Sequence, residues 1–193
     1  MKNVLILNGH QFYKDVAEGN LTNSFINKAN EFFTKNGFEV KQTDIEKGYN
    51  IEEEIEKFEW ADYILFQYPV FWMSVPWITK KYIDETFQQG KFYANDGRSR
   101  SDVSKTYGTG GLFKNKKYML SLTINSPSST FNNKDAFFDG MSLDQAHIAV
   151  HKTFQFCGLE PLETYSVHDI FKGDMNLDKE LERFEKVLTK NFL

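Results

Sequence analysis

Residues 4–7 are four consecutive aliphatic residues, Val-Leu-Ile-Leu, and the polar pair Asn8 and Gly9 ends the run. A strand with one face in water alternates apolar and polar residues, whereas this run has no polar position. It therefore predicts a strand buried on both faces, as in a parallel sheet that helices cover on both sides.

Strand and helix patterns alternate along the rest of the sequence. Apolar residues between Leu21 and Phe33 recur at helical spacing, and Gly37 ends that helix. Further strands are predicted at residues 38–42, 63–66, 117–123 and 163–168. Helices are predicted at 51–58, from Pro76 to about 87, at 143–156, and at 179–192 with Asp178 as the cap. This alternation predicts an α/β fold, a flavodoxin-like doubly wound sheet of five parallel strands in order 2-1-3-4-5, three layers thick. Residues 1–193 are expected to form a single domain.

The composition restricts the classes of function. A net charge of -4 argues against nucleic acid as a partner, because nucleic-acid-binding surfaces are basic. The single cysteine, Cys157, cannot form an internal disulfide and lies in an apolar stretch, which predicts a buried thiol in a reducing compartment. No apolar run approaches the roughly 20 residues of a membrane span, and the first strand leaves no room for a signal peptide. We therefore expect a cytoplasmic protein without a membrane span.

Ligands of open α/β sheets bind beyond the carboxyl ends of the strands, at the point where strand order reverses. The loop after the first strand leads to a helix start at residues 19–24, Gly-Asn-Leu-Thr-Asn-Ser. Free backbone amides at such a start can bind phosphate, with Thr22, Asn23 and Ser24 adding side-chain hydrogen bonds. Capping of the helix by Asn20 or Thr22 explains the same residues and is the more frequent arrangement.

The loop after the third strand, residues 69–77, contains Phe71, Trp72 and Trp77 between two prolines. Prolines restrict the backbone, so the rings would project from a nearly fixed shelf that suits a planar, partly apolar ligand. A loop packed under its neighbours or a dimer interface would have the same composition. The position at the predicted switch point favours the ligand, and an interface is compatible with it.

The loop after the fourth strand offers a hydroxyl and an amide beside the predicted ring, although a simple turn explains residues 123–127 equally well. His147 and His151 are four residues apart and predict a polar helix face or an interface pair. No histidine has the spacing of a metal site. Lys114, Lys116 and Lys117 would attract an anionic nicotinamide nucleotide or simply form a solvated turn.

Several fragments together resemble the modulator of drug activity B family. They are the aromatic loop 69–77 with Lys-Lys-Tyr-Ile-Asp at 80–84, Trp-Ala-Asp at 60–62, Tyr-Ala-Asn-Asp-Gly-Arg at 93–98, Tyr-Gly-Thr-Gly-Gly-Leu at 107–112 and residues 116–123. The resemblance runs from the first strand to about residue 169, so the long segment 88–115 is expected to be ordered. It implies a homodimeric, flavodoxin-like NADPH-quinone reductase with FAD, rather than FMN, as cofactor.

The resemblance also implies the residues that contact FAD. They lie in three stretches and at one isolated position: Ala17, Gly19, Asn20, Leu21, Thr22, Asn23, Ser24, Pro69, Val70, Phe71, Trp72, Thr123, Ile124, Asn125, Ser126 and Tyr107. Tyr107 is in addition the candidate catalytic residue, as a hydrogen-bond or proton donor near the flavin. The chain departs from the family pattern at Phe71 and Ile124, where the family has Trp, and these changes affect flavin packing and acceptor choice.

The predicted reaction is a ping-pong cycle in which reduced nicotinamide delivers hydride to the flavin and leaves, and a quinone then takes two electrons at the same place. An electron carrier of the flavodoxin type, without its own substrate site, is the main alternative. A protein with an empty site that acts only through binding partners is a second alternative.

Overall fold

The structure is a computed structural model that describes residues 2–193. The strands within this range are β1 (Asn3–Asn8), β2 (Glu39–Asp44), β3 (Tyr63–Pro69), β4 (Lys117–Thr123), β5 (Glu160–Pro161) and β6 (Tyr165–Val167). The α-helices are α1 (Asn20–Lys35), α2 (Ile51–Trp60), α3 (Trp77–Thr86), α4 (Leu143–Ala146), α5 (Ile148–Phe156) and α6 (Leu177–Phe192).

The strands form one parallel sheet in the order β2-β1-β3-β4-β5, with β6 also paired to β4. The predicted flavodoxin-like order is thereby confirmed. The fifth position holds two short strands instead of the single strand predicted at 163–168. Pro161 has no N–H to donate to the ladder, and the amide of Leu162 bonds the carbonyl oxygen of Tyr118 at 2.7 Å, after which pairing resumes at Tyr165.

Helices cover both faces of the sheet, and the alternating side chains of β1 explain why its apolar run is continuous. Val4 and Ile6 pack with α1 and α6, whereas Leu5 and Leu7 pack with α2, α3 and α5. All four side chains are buried. The double-sided burial predicted for residues 4–7 is therefore confirmed, and the three layers hold all strand ends at fixed positions.

Three predicted helix boundaries are wrong. The helix predicted at 143–156 is two helices, because His147 between α4 and α5 has φ -106° and ψ 23°, outside the helical region. The last helix begins two residues earlier than predicted: Asn176, not Asp178, is the cap, and its side chain accepts the amide of Lys179 at 3.1 Å. Pro76 is the residue before α3 and not its first residue.

The segment 88–115 contains no helix or regular strand and is nevertheless packed against the core. Phe92 and Phe113 are buried, and the backbone of Gly111 lies so close to Gly158 that a Cβ on Gly111 would be 2.2 Å from the Gly158 nitrogen. The segment is thus fixed to the end of α5, as its place in the resemblance led us to expect. In residues 2–193 no helix is both long and apolar enough to cross a membrane.

Candidate functional site

Two cavities adjoin at the carboxyl ends of β3 and β4. The first, here called the helix-start cavity, has a volume of about 550 Å³ and is lined by His10, Asp15, Val16, Ala17, Glu18, Gly19, Asn20, Leu21, Thr22, Pro69, Thr123, Ile170, Phe171 and Met175. The second, the aromatic cavity, has about 510 Å³ and is lined by Val70, Phe71, Trp72, Met73, Ile124, Asn125, Ser126, Thr130, Phe137, Phe138 and His147. At the end of β3, Pro69 lines the first cavity and Val70 lines the second. At the end of β4, Thr123 and Ile124 are divided in the same way, so the two cavities are neighbours.

The start of α1 faces the helix-start cavity without a side-chain cap. Gly19 precedes the helix with φ +89°, a left-handed conformation that favours glycine, and no side chain bonds the first amides. The first backbone bond of the helix runs from the Asn23 amide to the Gly19 carbonyl oxygen at 2.8 Å. The amides of Asn20, Leu21 and Thr22 therefore stay free to bind an anion, and the capping alternative for Asn20 and Thr22 is wrong.

Asn23 and Ser24 line neither cavity. The Ser24 hydroxyl donates to the Asn20 carbonyl oxygen at 3.0 Å, one turn back along α1. Of the predicted stretch 17–24, the structure brings Ala17 and residues 19–22 to the cavity and leaves the last two residues outside it. The predicted phosphate contacts thus concentrate on backbone amides.

His10 forms a wall of the helix-start cavity that the sequence analysis did not predict. Its Nε2 donates to the Ala17 carbonyl oxygen at 3.1 Å, and its Nδ1 is buried without a hydrogen-bond partner. A Cβ on Gly19 would lie 3.1 Å from the His10 Cδ2, so glycine is needed here for space as well as for conformation. The position directly after the Asn8-Gly9 strand end was the available signal, because this edge carries the site.

The aromatic loop is a tight hairpin whose tip is strained. Phe71 and Ser74 pair through two backbone hydrogen bonds, and Trp72 and Met73 between them have φ of +47° and +64°. Positive φ at both central residues defines a type I′ turn, which glycine and asparagine normally occupy. The turn leaves Trp72 90% exposed beside the cavity, and Tyr13 packs on Phe71 with ring centroids 5.1 Å apart. Strain of this kind is concentrated at functional sites.

The loop after β4 is fixed by its own polar atoms. The Asn125 Oδ1 accepts the amide of Phe171 at 3.1 Å, and the Ser126 carbonyl oxygen accepts His168 Nδ1 at 3.1 Å. The structure is thus compatible with both predictions for residues 123–127, a simple turn and a set of polar groups beside a bound ring. The Ser126 hydroxyl is buried without a partner at the aromatic cavity and remains available to a bound ring.

His147 and His151 are buried, with 2% and 5% of their surface exposed, so the predicted polar helix face is wrong. His151 bonds the Tyr118 hydroxyl through Nδ1 at 2.7 Å and Asp144 Oδ1 through Nε2 at 3.2 Å. The hydrogen bond from His151 lowers the pKa of the Asp144 carboxyl. His147 alone of the two lines the aromatic cavity.

His147 has a defined tautomer. Its Nδ1 lies 3.0 Å from the Leu143 carbonyl oxygen, which can only accept, so Nδ1 carries the hydrogen. Burial lowers the pKa of His147, and the ring is neutral at pH 7 with an unprotonated Nε2. That Nε2 is buried and has no hydrogen-bond partner.

Tyr107 lies away from both cavities. It is 69% exposed and lines a separate cavity of about 420 Å³ with Lys80 of α3, Tyr93 of the segment 88–115 and Phe156 of α5. Its ring packs on Phe156 at 5.5 Å between centroids. Within one copy of the chain, the structure does not bring Tyr107 to the predicted flavin contacts.

The lysine cluster lies at the opposite edge of the sheet. Lys117 is the first residue of β4, whereas the cavities are at the carboxyl ends of the strands. Lys116 donates to the carbonyl oxygens of Glu59 and Ala61, at the end of α2, at 2.8 and 2.5 Å. Lys116 thus lies neither at the cavities nor in a solvated turn: it binds the end of α2, where a cation is favourable.

Other cavity residues that the sequence analysis missed come from two loops. Ile170, Phe171 and Met175 follow the last strand, and Phe137 and Phe138 follow β4. The first of these loops could have been predicted, because it follows the carboxyl end of the last strand. In a parallel sheet that end lies beside the carboxyl ends of β1 and β3. Across residues 2–193, no group of three or more His, Cys, Asp or Glu side chains is placed to hold a metal ion.

A flavin fits the groups that these cavities present. The free amides of α1 suit a phosphate, and the aromatic walls suit a flat ring. Ser126 lines the aromatic cavity, and its hydroxyl, which has no hydrogen-bond partner, is a polar group of the kind that such a ring needs. The chemistry of the donor set thus matches a ligand with an anionic tail and a planar, partly polar ring.

Comparisons with known proteins agree with this geometry. The profile of the family described as having a flavodoxin-like fold matches residues 2–188. NADPH:quinone oxidoreductase MdaB of Haemophilus influenzae is 40% identical over 98% of this chain and 99% of its own length. The crystal structure of a Klebsiella pneumoniae protein provisionally assigned as a quinone reductase matches at TM-score 0.81 and 20% identity, over 98% of this chain and 85% of that one. General stress protein 14 of Treponema denticola, solved in complex with FMN, matches at TM-score 0.71 and 15% identity, over 98% and 99%.

The two structural matches, at 20% and 15% identity, show the fold alone. The family profile and the Haemophilus influenzae protein match nearly the whole chain in sequence. A parallel sheet of this order with a free helix start at its switch point is a flavodoxin-like architecture. The chain belongs to the family with this flavodoxin-like fold and, within it, to the modulator of drug activity B family.

Proposed function

We propose that the protein is an NAD(P)H-quinone oxidoreductase that uses FAD and reduces quinones by two electrons. The observation that carries the proposal is the free start of α1 beside an aromatic cavity at the carboxyl ends of β3 and β4. The 40% identity to a named NADPH:quinone oxidoreductase over nearly all of both chains supports the reaction class. When bound, a flavin accepts hydride from reduced nicotinamide and passes two electrons to a quinone.

The residues of the helix-start cavity would bind the phosphate end of the cofactor. Amides of Asn20, Leu21 and Thr22 point to the cavity from a helix whose dipole favours an anion. Among the described residues, no lysine or arginine lines it. The carboxylates of Asp15 and Glu18 suit ribose hydroxyls rather than phosphate oxygens, because ionised carboxylates only accept hydrogen bonds.

Exposed apolar residues of the same cavity support the choice of FAD over FMN. Phe171 is 64% exposed and lines the helix-start cavity together with Ile170 and Met175. FMN ends at its phosphate and would leave these apolar side chains unused. An adenine ring stacked on Phe171 would cover them. In this proposal the adenine half of FAD occupies the helix-start cavity and the flavin half occupies the aromatic cavity.

The aromatic cavity would hold the flavin ring together with each substrate, first the nicotinamide and then the quinone. Trp72, Phe137 and Phe138 give it flat walls, and Ile124 replaces a larger residue of the family pattern at its base. A single place used first by the nicotinamide and then by the quinone requires a ping-pong order.

Tyr107 would contribute to the site of a second copy. It lines a cavity with residues of α3 and α5, and the first residues of these two helices, Trp77 and Ile148, are exposed at 63% and 49%. Apolar side chains exposed together are typical of protein interfaces. We propose a homodimer in which Tyr107 of one copy reaches the aromatic cavity of the other, as its role in the resemblance requires.

Turnover with NADPH and menadione tests the proposal against the electron-carrier alternative. The FAD-loaded protein should oxidise NADPH continuously while menadione is present, at a rate proportional to protein concentration. A carrier without a substrate site would show no such turnover, although it would bind the flavin. A protein that binds neither FAD nor FMN would fit the second alternative, an empty site in a protein that acts only through binding partners.

A further inference from the structure

His147 stands out among the buried polar groups because it joins the aromatic cavity to a break in a helix. The residue separates α4 from α5, and its φ of -106° and ψ of 23° lie in a sparsely populated region where active-site residues are frequent. A continuous helix through this position, as the sequence predicted, would direct the side chain differently. The break and the cavity thus single out one imidazole.

The hydrogen-bonding character of this imidazole is fixed on one side and open on the other. Nδ1–H donates to the Leu143 carbonyl oxygen at 3.0 Å, which leaves Nε2 as an acceptor without a partner. A buried acceptor without a partner costs free energy, so such atoms call for a ligand or an ordered water. Whatever fills this role must present an atom that carries a hydrogen.

The two substrates of the proposed reaction differ in that property. A quinone presents only carbonyl oxygens, which accept hydrogen bonds and cannot satisfy an unprotonated Nε2. The reduced nicotinamide carries a carboxamide, whose NH₂ group donates. Both rings are planar and suit the walls formed by Trp72 and Phe138.

We propose that His147 Nε2 accepts a hydrogen bond from the carboxamide NH₂ of the reduced nicotinamide, and that this residue recognises the electron donor but not the quinone. The inference rests on the proposed function, since it assigns a contact within the same site. His147 is then a residue that determines donor specificity, while the apolar walls serve both substrates.

The test compares NADPH with its reduced 3-acetylpyridine analogue, which has a methyl group in place of the NH₂. Dissociation constants come from the dependence of the anaerobic reduction rate on nucleotide concentration. The wild-type protein is expected to bind NADPH about tenfold more tightly than the analogue, because a buried acceptor loses its donor. In His147→Leu the preference disappears, because leucine offers no acceptor to the carboxamide NH₂ of NADPH.

His147→Gln is the matched control, because its Oε1 can reach the place of Nε2 and still accept. It should retain most of the preference for NADPH. Reoxidation of the reduced protein by menadione should proceed at the same rate in His147→Leu and His147→Gln, because the quinone makes no bond to Nε2 that glutamine could restore. A purely structural role of His147 would change both half-reactions and leave the preference between nucleotides intact.

Two results overturn the proposal: a wild-type protein that does not distinguish the nucleotides, or a His147→Leu variant that keeps the wild-type preference. The first result can be obtained even if the variant does not fold. Either result would be explained if the Tyr68 hydroxyl, rather than the nicotinamide, donated to Nε2. The centroids of the Tyr68 and His147 rings are 6.5 Å apart, and the Tyr68 hydroxyl has no hydrogen-bond partner. Failure of the proposed function is distinct, since the flavin of the wild-type protein would then not be reduced by either nucleotide.

Discussion

Phe71 and Ser74 exchange two backbone hydrogen bonds, of 2.9 and 3.1 Å, across a two-residue turn. The turn forces left-handed backbone on Trp72 and Met73, at a cost of about 1–2 kcal/mol per residue. Met73→Gly should therefore raise the free energy of unfolding by about 1 kcal/mol, because glycine adopts this conformation without strain. Urea denaturation of both proteins measures the change, and a destabilised variant would show that Met73 contributes more by packing than it costs in strain.

Gly19 and Gly37 allow the flavin contact to be separated from backbone strain. Both have positive φ, of +89° and +78°, one before α1 and one after it. Alanine at either position should cost about 1–2 kcal/mol of stability. Only Gly19→Ala should weaken FAD binding, because its Cβ would press on His10 at the helix-start cavity, whereas Gly37 has nothing within 4 Å. Equal FAD dissociation constants for the two variants would show that the start of α1 does not bind the cofactor.

Phe171→Ala tests the preference for FAD. Loss of a stacked ring should weaken FAD binding by about 1 kcal/mol, or roughly fivefold. FMN binding should be unchanged, since FMN has no adenine. Titration of the flavin-free protein with each cofactor measures both effects, with Phe171→Tyr as the variant that keeps the ring. Equal losses for FAD and FMN would place Phe171 near the flavin ring or in the packing of the loop.

Stability should fall in mildly acidic solution because two histidines are buried in neutral form. Burial lowers the pKa of His147 and of His168 from 6.5. The unfolded chain binds more protons than the folded one below about pH 6.5, so the free energy of unfolding falls as pH drops from there through the lowered pKa values. Asp144 and His151 also face His147. Because the pKa of the Asp144 carboxyl is lowered from 3.8, its protonation affects stability only in more acidic solution than that of the histidines.

Urea denaturation at several pH values between 5 and 7.5 checks this dependence. His147→Gln should have a smaller loss than the wild-type protein, because one of the two histidines no longer titrates. A wild-type stability that does not change over this range would contradict the burial of both neutral rings.

The position of Tyr107 predicts complementation between copies of the chain. Tyr107→Ala and Trp72→Ala should each lower NADPH-dependent quinone reduction. Co-expression of the two variants should restore activity, because each mixed dimer has one site with an intact Trp72 and an intact Tyr107 from the partner. Activity no higher than that of the separate variants would show that Tyr107 does not act across an interface.

The fold was predictable from sequence because its signals are local. The run at residues 4–7 has no polar position, and only a sheet covered on both faces accommodates it. The helix break at His147 was not predictable, since residues 143–156 retain a helical pattern and the break is seen only in the backbone angles of His147. Periodicity reports which face is buried, not where a helix is interrupted.

The site was predictable where it follows strand ends and not where it depends on tertiary contacts. The helix start at Gly19 and the loop at Phe71 both follow predicted strands and line the cavities. His147 and Phe171 reach the same cavities from segments distant in sequence, and the unpartnered Nε2 of His147 is visible only in three dimensions.

An anaerobic titration of the FAD-loaded protein tests the central claim most directly. NADPH should bleach the flavin absorption near ~450 nm, and menadione added afterwards should restore it, in one equivalent each. Absorption that NADPH does not bleach would contradict the assignment as an NAD(P)H-quinone oxidoreductase and favour the electron carrier. A protein that retains no flavin after incubation with FAD or FMN would contradict the cofactor site as well.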